Sequence, residues 1–320
     1  MTRVARTVGA LGLLMAIAGC AERQPVASEE RAASDAPLDV HVVSYPLRYL
    51  AERIGGTQVR VTLPVPPGVD PADWLPEAET VVAYQAADLI LLNGAGYARW
   101  VGLASLPRRR MLDTSAAFRE QWIERTDTST HAHGTTGSHS HGGFESLTWL
   151  DLGLATLQAR AIAEALAREL PEARETFETN LAALERDLAA LDERLTAATH
   201  PLRDVPLLFS HPVYGYLIRR YGLNGRSLHF EPDEHPDPSA WRALRELLEL
   251  HPARWMLWED EPLQQTRDAL RQLGVESVVY APCGNVTAAG TLLSVMGDNA
   301  ARLEGIATAP AHLAPSGEGR

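Results

Sequence analysis

The sequence contains no lysine; all 29 basic residues are arginine. Schiff-base chemistry on a lysine amine is therefore excluded, as is a lysine-bearing phosphate loop. Cysteine is almost as scarce, with only Cys20 and Cys283. A four-cysteine zinc site, a multi-disulfide scaffold and a finger with two neighbouring cysteines are ruled out. Positive charge is in deficit, since 41 acidic residues against 29 basic ones give a formal charge of −12. An acidic surface argues against nucleic acid as a partner. Hydrolase signatures are missing too: there is no G-x-S-x-G and no H-E-x-x-H, so the chain reads as a non-enzyme.

What is present is ordinary globular material. The 320 residues are 45% hydrophobic and 22% charged, which excludes wholesale disorder and suggests about two domains or lobes. Residues 1–19 read as an export signal. Arg3 and Arg6 precede a short apolar run, Val8 to Ile17, that is too short to span a bilayer. The run ends in Ile17-Ala18-Gly19-Cys20, which resembles a bacterial lipobox with Cys20 as the lipidated residue. A plain signal peptide with an incidental cysteine is the other reading. Loss of Arg3 and Arg6 on processing takes the charge from −12 to −14. Residues 20–36 are small and polar and read as a flexible tether, and residues 310–320 as a flexible tail.

Between these ends the pattern is α/β. Apolar runs at 40–44, 59–63, 87–94 and 110–113 read as strands separated by helical or loop segments, forming an N-terminal lobe over residues 37–152. Residues 126–146 interrupt it with a small, polar, histidine-rich stretch that reads as a mobile loop. Residues 153–200 are helical. After Pro171, Phe177, Leu181, Leu184, Leu188, Leu191 and Leu195 recur at spacings of three and four, one apolar stripe on a helix roughly 40 Å long. The α/β rhythm resumes over 201–309, with strands at 206–210, 255–258 and 277–280. The expected fold is thus α/β with two lobes, each a small parallel sheet with helices, joined by one long spine helix.

Ligands in such sheets bind beyond the carboxyl ends of strands. His211, Glu259 and Cys283 sit there. His211 offers a ring nitrogen suited to zinc, or it is a structural histidine bonded to a backbone carbonyl. Glu259, in Trp258-Glu259-Asp260-Glu261, reads as a ligand, a partner of one, or a solvated charge. Cys283 reads as a soft ligand or a packing thiol. Asp70 and Asp73 lie in the loop after the second strand, where helix capping is the usual role. Glu231-Pro232-Asp233-Glu234-His235 reads as a solvated acidic turn. In the loop, His131 and His133, and then His139 and His141, form two pairs of flexible imidazoles that can gather around a borderline cation. A low-complexity insert is the alternative.

The order of parts resembles the zinc/manganese substrate-binding lipoproteins of bacterial ABC importers, the group that includes the periplasmic binding protein of zinc uptake. The resemblance rests on GVDPADWLP, AADLILLNGAGYARW, the His-rich loop, TWLDLGLA, the long helix with Asn180, SHPVYGYLIRRYGL, WMLWEDEP and LLSVMGDNAARL, across about residues 38–307. It implies two α/β lobes about a rigid helix, a metal between them, and a monomer that docks on a membrane permease while anchored through Cys20. It also implies four ligand positions, and only His211 keeps its donor; Ala72, Leu147 and Ala281 fall at the other three. Asp73, Glu259 and Cys283 are candidates to rebuild a cleft site with His211. Alternatively the loop histidines are the principal binder, or the cleft holds a metal chelate or a small organic molecule. Trp74, Trp149 and Trp258 lie near the expected cleft, as lining or as lobe core. Zinc is the expected cargo and manganese the alternative; a surface adhesion or metal-storage lipoprotein is a third possibility.

Overall fold

The computed structural model describes residues 36–125 and 143–309, and the backbone of residues 130–132 and 138–140. Cys20, the export signal, nearly all of the tether, the 310–320 tail, His133 and His141 lie outside the described residues, as do the side chains of His131 and His139.

The N-terminal lobe is built on β1 (Leu38–Val42), β2 (Val59–Thr62), β3 (Leu89–Leu92) and β4 (Met111–Asp113). They form one parallel sheet in the order β2-β1-β3-β4, with Val40 opposite both Val61 and Leu89. Of the two central strands, LILL is wholly apolar and LDVHV places Leu38, Val40 and Val42 in the core, as strands covered on both faces require. Helix α1 (Tyr45–Gly55) follows β1, and α2 (Ala78–Ala86) precedes β3. The stretch 126–146, expected to be a mobile loop, carries two short antiparallel strands, β5 (Thr130–Ala132) and β6 (Ser138–Ser140), whose backbones set His131 opposite His139.

Two helices follow. In α3 (Leu152–Glu169) the Asp151 carboxylate accepts from the Gly153 and Leu154 amides, fixing the helix start. A tight turn at Pro171–Ala173 separates it from α4 (Arg174–Thr199), whose 26 residues span about 39 Å. Phe177, Leu184, Leu188, Leu191 and Leu195 are buried, and Leu181 packs half-buried beside them. The stripe therefore does what its spacing predicts. Polar contacts fasten the helix further: Asn180 Nδ2 donates to the Ile54 carbonyl at 2.9 Å, at the end of α1, and Arg53 Nη2 meets Asp187 at 2.6 Å.

The C-terminal lobe repeats the plan. Its sheet is parallel in the order β10-β9-β7-β8, from β7 (Pro206–Phe209), β8 (Asn224–Ser227), β9 (Trp255–Trp258) and β10 (Glu276–Val279). Helices α5 (Gly215–Tyr221), α6 (Pro238–Leu250), α7 (Gln264–Gln272) and α8 (Leu292–Thr308) complete it. Helix α4 packs on α1, α3 and α8 and so touches both lobes. The fold is α/β with two four-stranded parallel sheets and a long connecting helix. No helix among the described residues is long and apolar enough to cross a membrane.

Candidate functional site

The carboxyl ends of both sheets face one cleft of about 990 Å³. His211 lies two residues beyond β7, where Ser210 still donates to the Leu257 carbonyl and keeps the chain in register with β9. Glu259 is the first residue after β9, and Glu231 follows β8. The two carboxylates flank the His211 ring, one at each nitrogen. His211 Nδ1 is 3.4 Å from Glu259 Oε1, and Nε2 is 3.5 Å from Glu231 Oε1. The His229 ring packs edge-on against the His211 ring with centroids 5.6 Å apart.

Burial pulls the His211 pKa down, but the hydrogen bond and charge of Glu259, with the charge of Glu231, outweigh it and leave the value above the usual 6.5. Without a metal the imidazole is held as a proton-sharing partner of two carboxylates. Two tetrahedral zinc ligands at about 2.0–2.1 Å from the ion lie about 3.3 Å apart. Either ring nitrogen and its carboxylate already have nearly that separation, so a dication can take the place of the shared proton.

The N-terminal lobe contributes the loop after β2. Asp70 Oδ1 accepts from the Ala72 amide at 2.9 Å, and the Asp70 carbonyl accepts from the Asp73 and Trp74 amides, which makes a tight turn. The carboxylate keeps a face to water yet sits deep between the cleft walls. Desolvation by the walls, reinforced by the charges of Asp73 and Glu259, raises its pKa from 3.8 to about 6, against the lowering effect of the Ala72 amide. Asp73 lines the cleft too, but its carboxylate is paired with Arg99 at 3.2 Å.

The structure thus brings His211 and Glu259 together and adds Asp70 and Glu231. Glu231 is a correction: it does not sit in a solvated turn but points at His211. Its position after β8 was hidden because Asn-Gly-Arg-Ser has no strand-like apolar pattern. Cys283 is a second correction. The cleft walls include its neighbours Pro282 and Gly284 but not Cys283, which is buried with its thiol 3.7 Å from the Ala281 carbonyl. Burial pushes that thiol up to about 12, so it stays protonated and is a poor ligand. Ala72 and Leu147 line the cleft as carbon surfaces, while Ala281 is bonded through its backbone to Asn299. Trp149 lines the cleft with its indole N–H committed to the Pro282 carbonyl at 2.7 Å. Trp258 is fully buried in the C-terminal core, and Trp74 stacks edge-on with Trp100. Among the described residues, no three His, Cys, Asp or Glu side chains are grouped closely enough to hold a metal ion.

Residues 40–305 match the ZnuA family, described as zinc-uptake complex component A periplasmic. The chain belongs to this family. The ZnuA family comprises solute-binding proteins, not enzymes. The zinc-binding lipoprotein AdcA of Streptococcus pneumoniae is 24% identical over 275 residues, which cover 82% of this chain and 53% of AdcA. The high-affinity zinc uptake system protein ZnuA of Bacillus subtilis is 23% identical over 259 residues, covering 79% of this chain and 81% of that protein. The crystal structure of the metal-dependent lipoprotein YcdH from Bacillus subtilis superposes with a TM-score of 0.71 at 20% identity, covering 84% of this chain and 98% of that one. The chain spans about half the length of the AdcA proteins it matches.

Proposed function

We propose that this ZnuA-family chain is the extracytoplasmic solute-binding component of an ABC importer, with zinc as cargo and manganese as the alternative. The cargo enters the inter-lobe cleft, binds at His211 and is delivered to a membrane permease by a monomer anchored through lipid on Cys20. The observation that carries this is the placement of His211 between Glu259 and Glu231 in a cleft reached from both lobes. Neutral imidazole with carboxylate is a donor set that zinc accepts. Asp70 is a further oxygen donor on the facing wall. The loop histidines His131, His133, His139 and His141 serve as a capture segment that raises the local metal concentration, and the two lobes shift slightly about α4 on loading.

Isothermal titration of the processed protein with zinc and with manganese tests this. Zinc is expected to bind more tightly than about 10 μM, near −7 kcal/mol, and His211→Ala to weaken it at least tenfold. Zinc binding untouched by His211→Ala but abolished by deletion of residues 131–141 would contradict the cleft site and favour storage on the loop.

A further inference from the structure

We propose that Glu145 is a positioning residue of the cargo site: its carboxylate holds the turn that carries His211 and offsets the positive charge of Arg125 beside that histidine. This rests on the cleft being the cargo site.

The chain on either side of the histidine-rich stretch comes together as a two-strand neck. The Arg125 amide donates to the Gly143 carbonyl at 2.9 Å and the Glu145 amide to the Ile123 carbonyl at 2.8 Å, with Glu124 opposite Phe144. Antiparallel pairing puts Arg125 and Glu145 on one face of the neck as diagonal neighbours. By sequence the neck belongs to the N-terminal lobe, yet it docks on α5 of the C-terminal lobe. The Ile123 amide donates to Tyr216 Oη at 3.3 Å, and Arg219 Nη1 donates to the Gln121 carbonyl at 2.6 Å.

Glu145 fastens the same neck to the His211 turn. Its Oε2 accepts from the amide of Gly215, the first residue of α5, at 2.8 Å. A Cβ on Gly215 would lie 2.2 Å from that oxygen, so glycine is what lets the carboxylate close on the backbone. The turn from His211 to Gly215 is held at two further points. The Val213 amide donates to the His211 carbonyl at 2.9 Å, and Tyr214 Oη donates to the Tyr280 carbonyl at 2.8 Å. The cleft walls include Phe144, Ser146 and Leu147 but not Glu145, which therefore acts on the site through the backbone and not as a ligand.

Charge gives Glu145 a second effect. Arg125 lines the cleft, and its charge reaches the His211 ring, where burial and this charge together work against the two glutamates. The same guanidinium opposes a dication bound at that ring. Burial raises the Glu145 pKa, and the Gly215 amide with the charges of Arg125 and Arg219 works against the rise. Glu145 and Arg125 thus interact directly as opposite charges, and the carboxylate reduces the repulsion that Arg125 imposes on the cargo.

Zinc titration of the processed protein and its variants tests this, at a pH where the His211 ring is neutral in all of them. Glu145→Gln keeps an oxygen for the Gly215 amide and loses the charge; Glu145→Ala loses both. The expected loss of zinc affinity is about fivefold in Glu145→Gln and about tenfold or more in Glu145→Ala. Adding Arg125→Gln to Glu145→Gln should return the affinity to within about twofold of the unaltered protein, a rescue that a purely structural role would not produce. If Arg125→Gln fails to fold, NMR titration of the His211 imidazole in metal-free Glu145→Gln replaces it: an unopposed Arg125 lowers that pKa, and an unchanged value overturns the inference. Zinc binding that depends on His211 but is unchanged in both Glu145 variants, or a loss that Arg125→Gln does not relieve, also overturns it and leaves the proposed function standing. Zinc affinity untouched by His211→Ala overturns both.

Discussion

Asn285 of the C-terminal lobe reaches across the cleft and donates through Nδ2 to the Val69 carbonyl at 2.7 Å, sharing the same amide with the Pro66 carbonyl at 2.7 Å. The loop it holds is the one that carries Asp70. The Tyr45 amide, at the start of α1, donates to the Gly284 carbonyl at 2.9 Å, and Trp149 holds Pro282, so the segment after β10 is tied to the N-terminal lobe at three places.

Asn285→Ala removes both donors. Each such bond contributes about 0.5–1.5 kcal/mol net, and these are solvent-exposed, so a loss of about 1 kcal/mol in stability is expected. The Asp70 loop loses its tether, and zinc affinity should fall severalfold. Thermal unfolding and zinc titration of the variant measure the two effects. Unchanged affinity would show that the tether does not set the position of Asp70.

The raised pKa of His211 has a definite sign. In the metal-free protein the folded-state value lies above 6.5, so the protonated ring stabilises the fold fully below pH 6.5. That contribution is lost as pH rises through the folded-state value. Zinc competes for the same ring, so its affinity should begin to fall at a pH above 6.5 as the solution is acidified. NMR titration of the imidazole in metal-free protein checks this. Glu259→Gln, which removes the partner with the larger effect, should lower the pKa more than Glu231→Gln.

Much of this arrangement was legible in the sequence, for identifiable reasons. The apolar stripe from Phe177 to Leu195 marked α4, and PLLF and WMLW marked strands that deliver His211 and Glu259 to the cleft. Where the strand is polar, the site was not legible. β8 is an edge strand of sequence Asn-Gly-Arg-Ser, so nothing signalled that Glu231 follows a strand end. Helix α1, with Pro46 in its first turn, gave too short a pattern to stand out beside β1. The orientation of Cys283 depends on a backbone φ of +60° in the turn after β10, which sequence pattern does not reveal for a non-glycine residue.

Cys283 should behave as a packing thiol. With its pKa pushed up to about 12 by burial, the native protein should resist alkylation there and become labelled only on unfolding. Site-resolved mass spectrometry after iodoacetamide treatment reads this out. Cys283→Ser should leave zinc affinity within about twofold; a larger loss would make the thiol a ligand after all.

Ala72 and Leu147 are the cleft positions where two imidazoles should have the largest effect. Ala72→His combined with Leu147→His places new nitrogen donors on the wall opposite His211. Affinity for zinc supplied without chelator is expected to rise at least tenfold, about 1.4 kcal/mol. Parallel zinc titrations of the double variant and the unaltered protein measure it.

The most direct test of the account is the zinc titration of His211→Ala beside the unaltered protein, at a pH where the unaltered ring is neutral. A loss of at least tenfold in affinity is predicted, with the fold and thermal midpoint retained. Zinc affinity equal to that of the unaltered protein would contradict the claim that the cleft between the lobes carries the cargo.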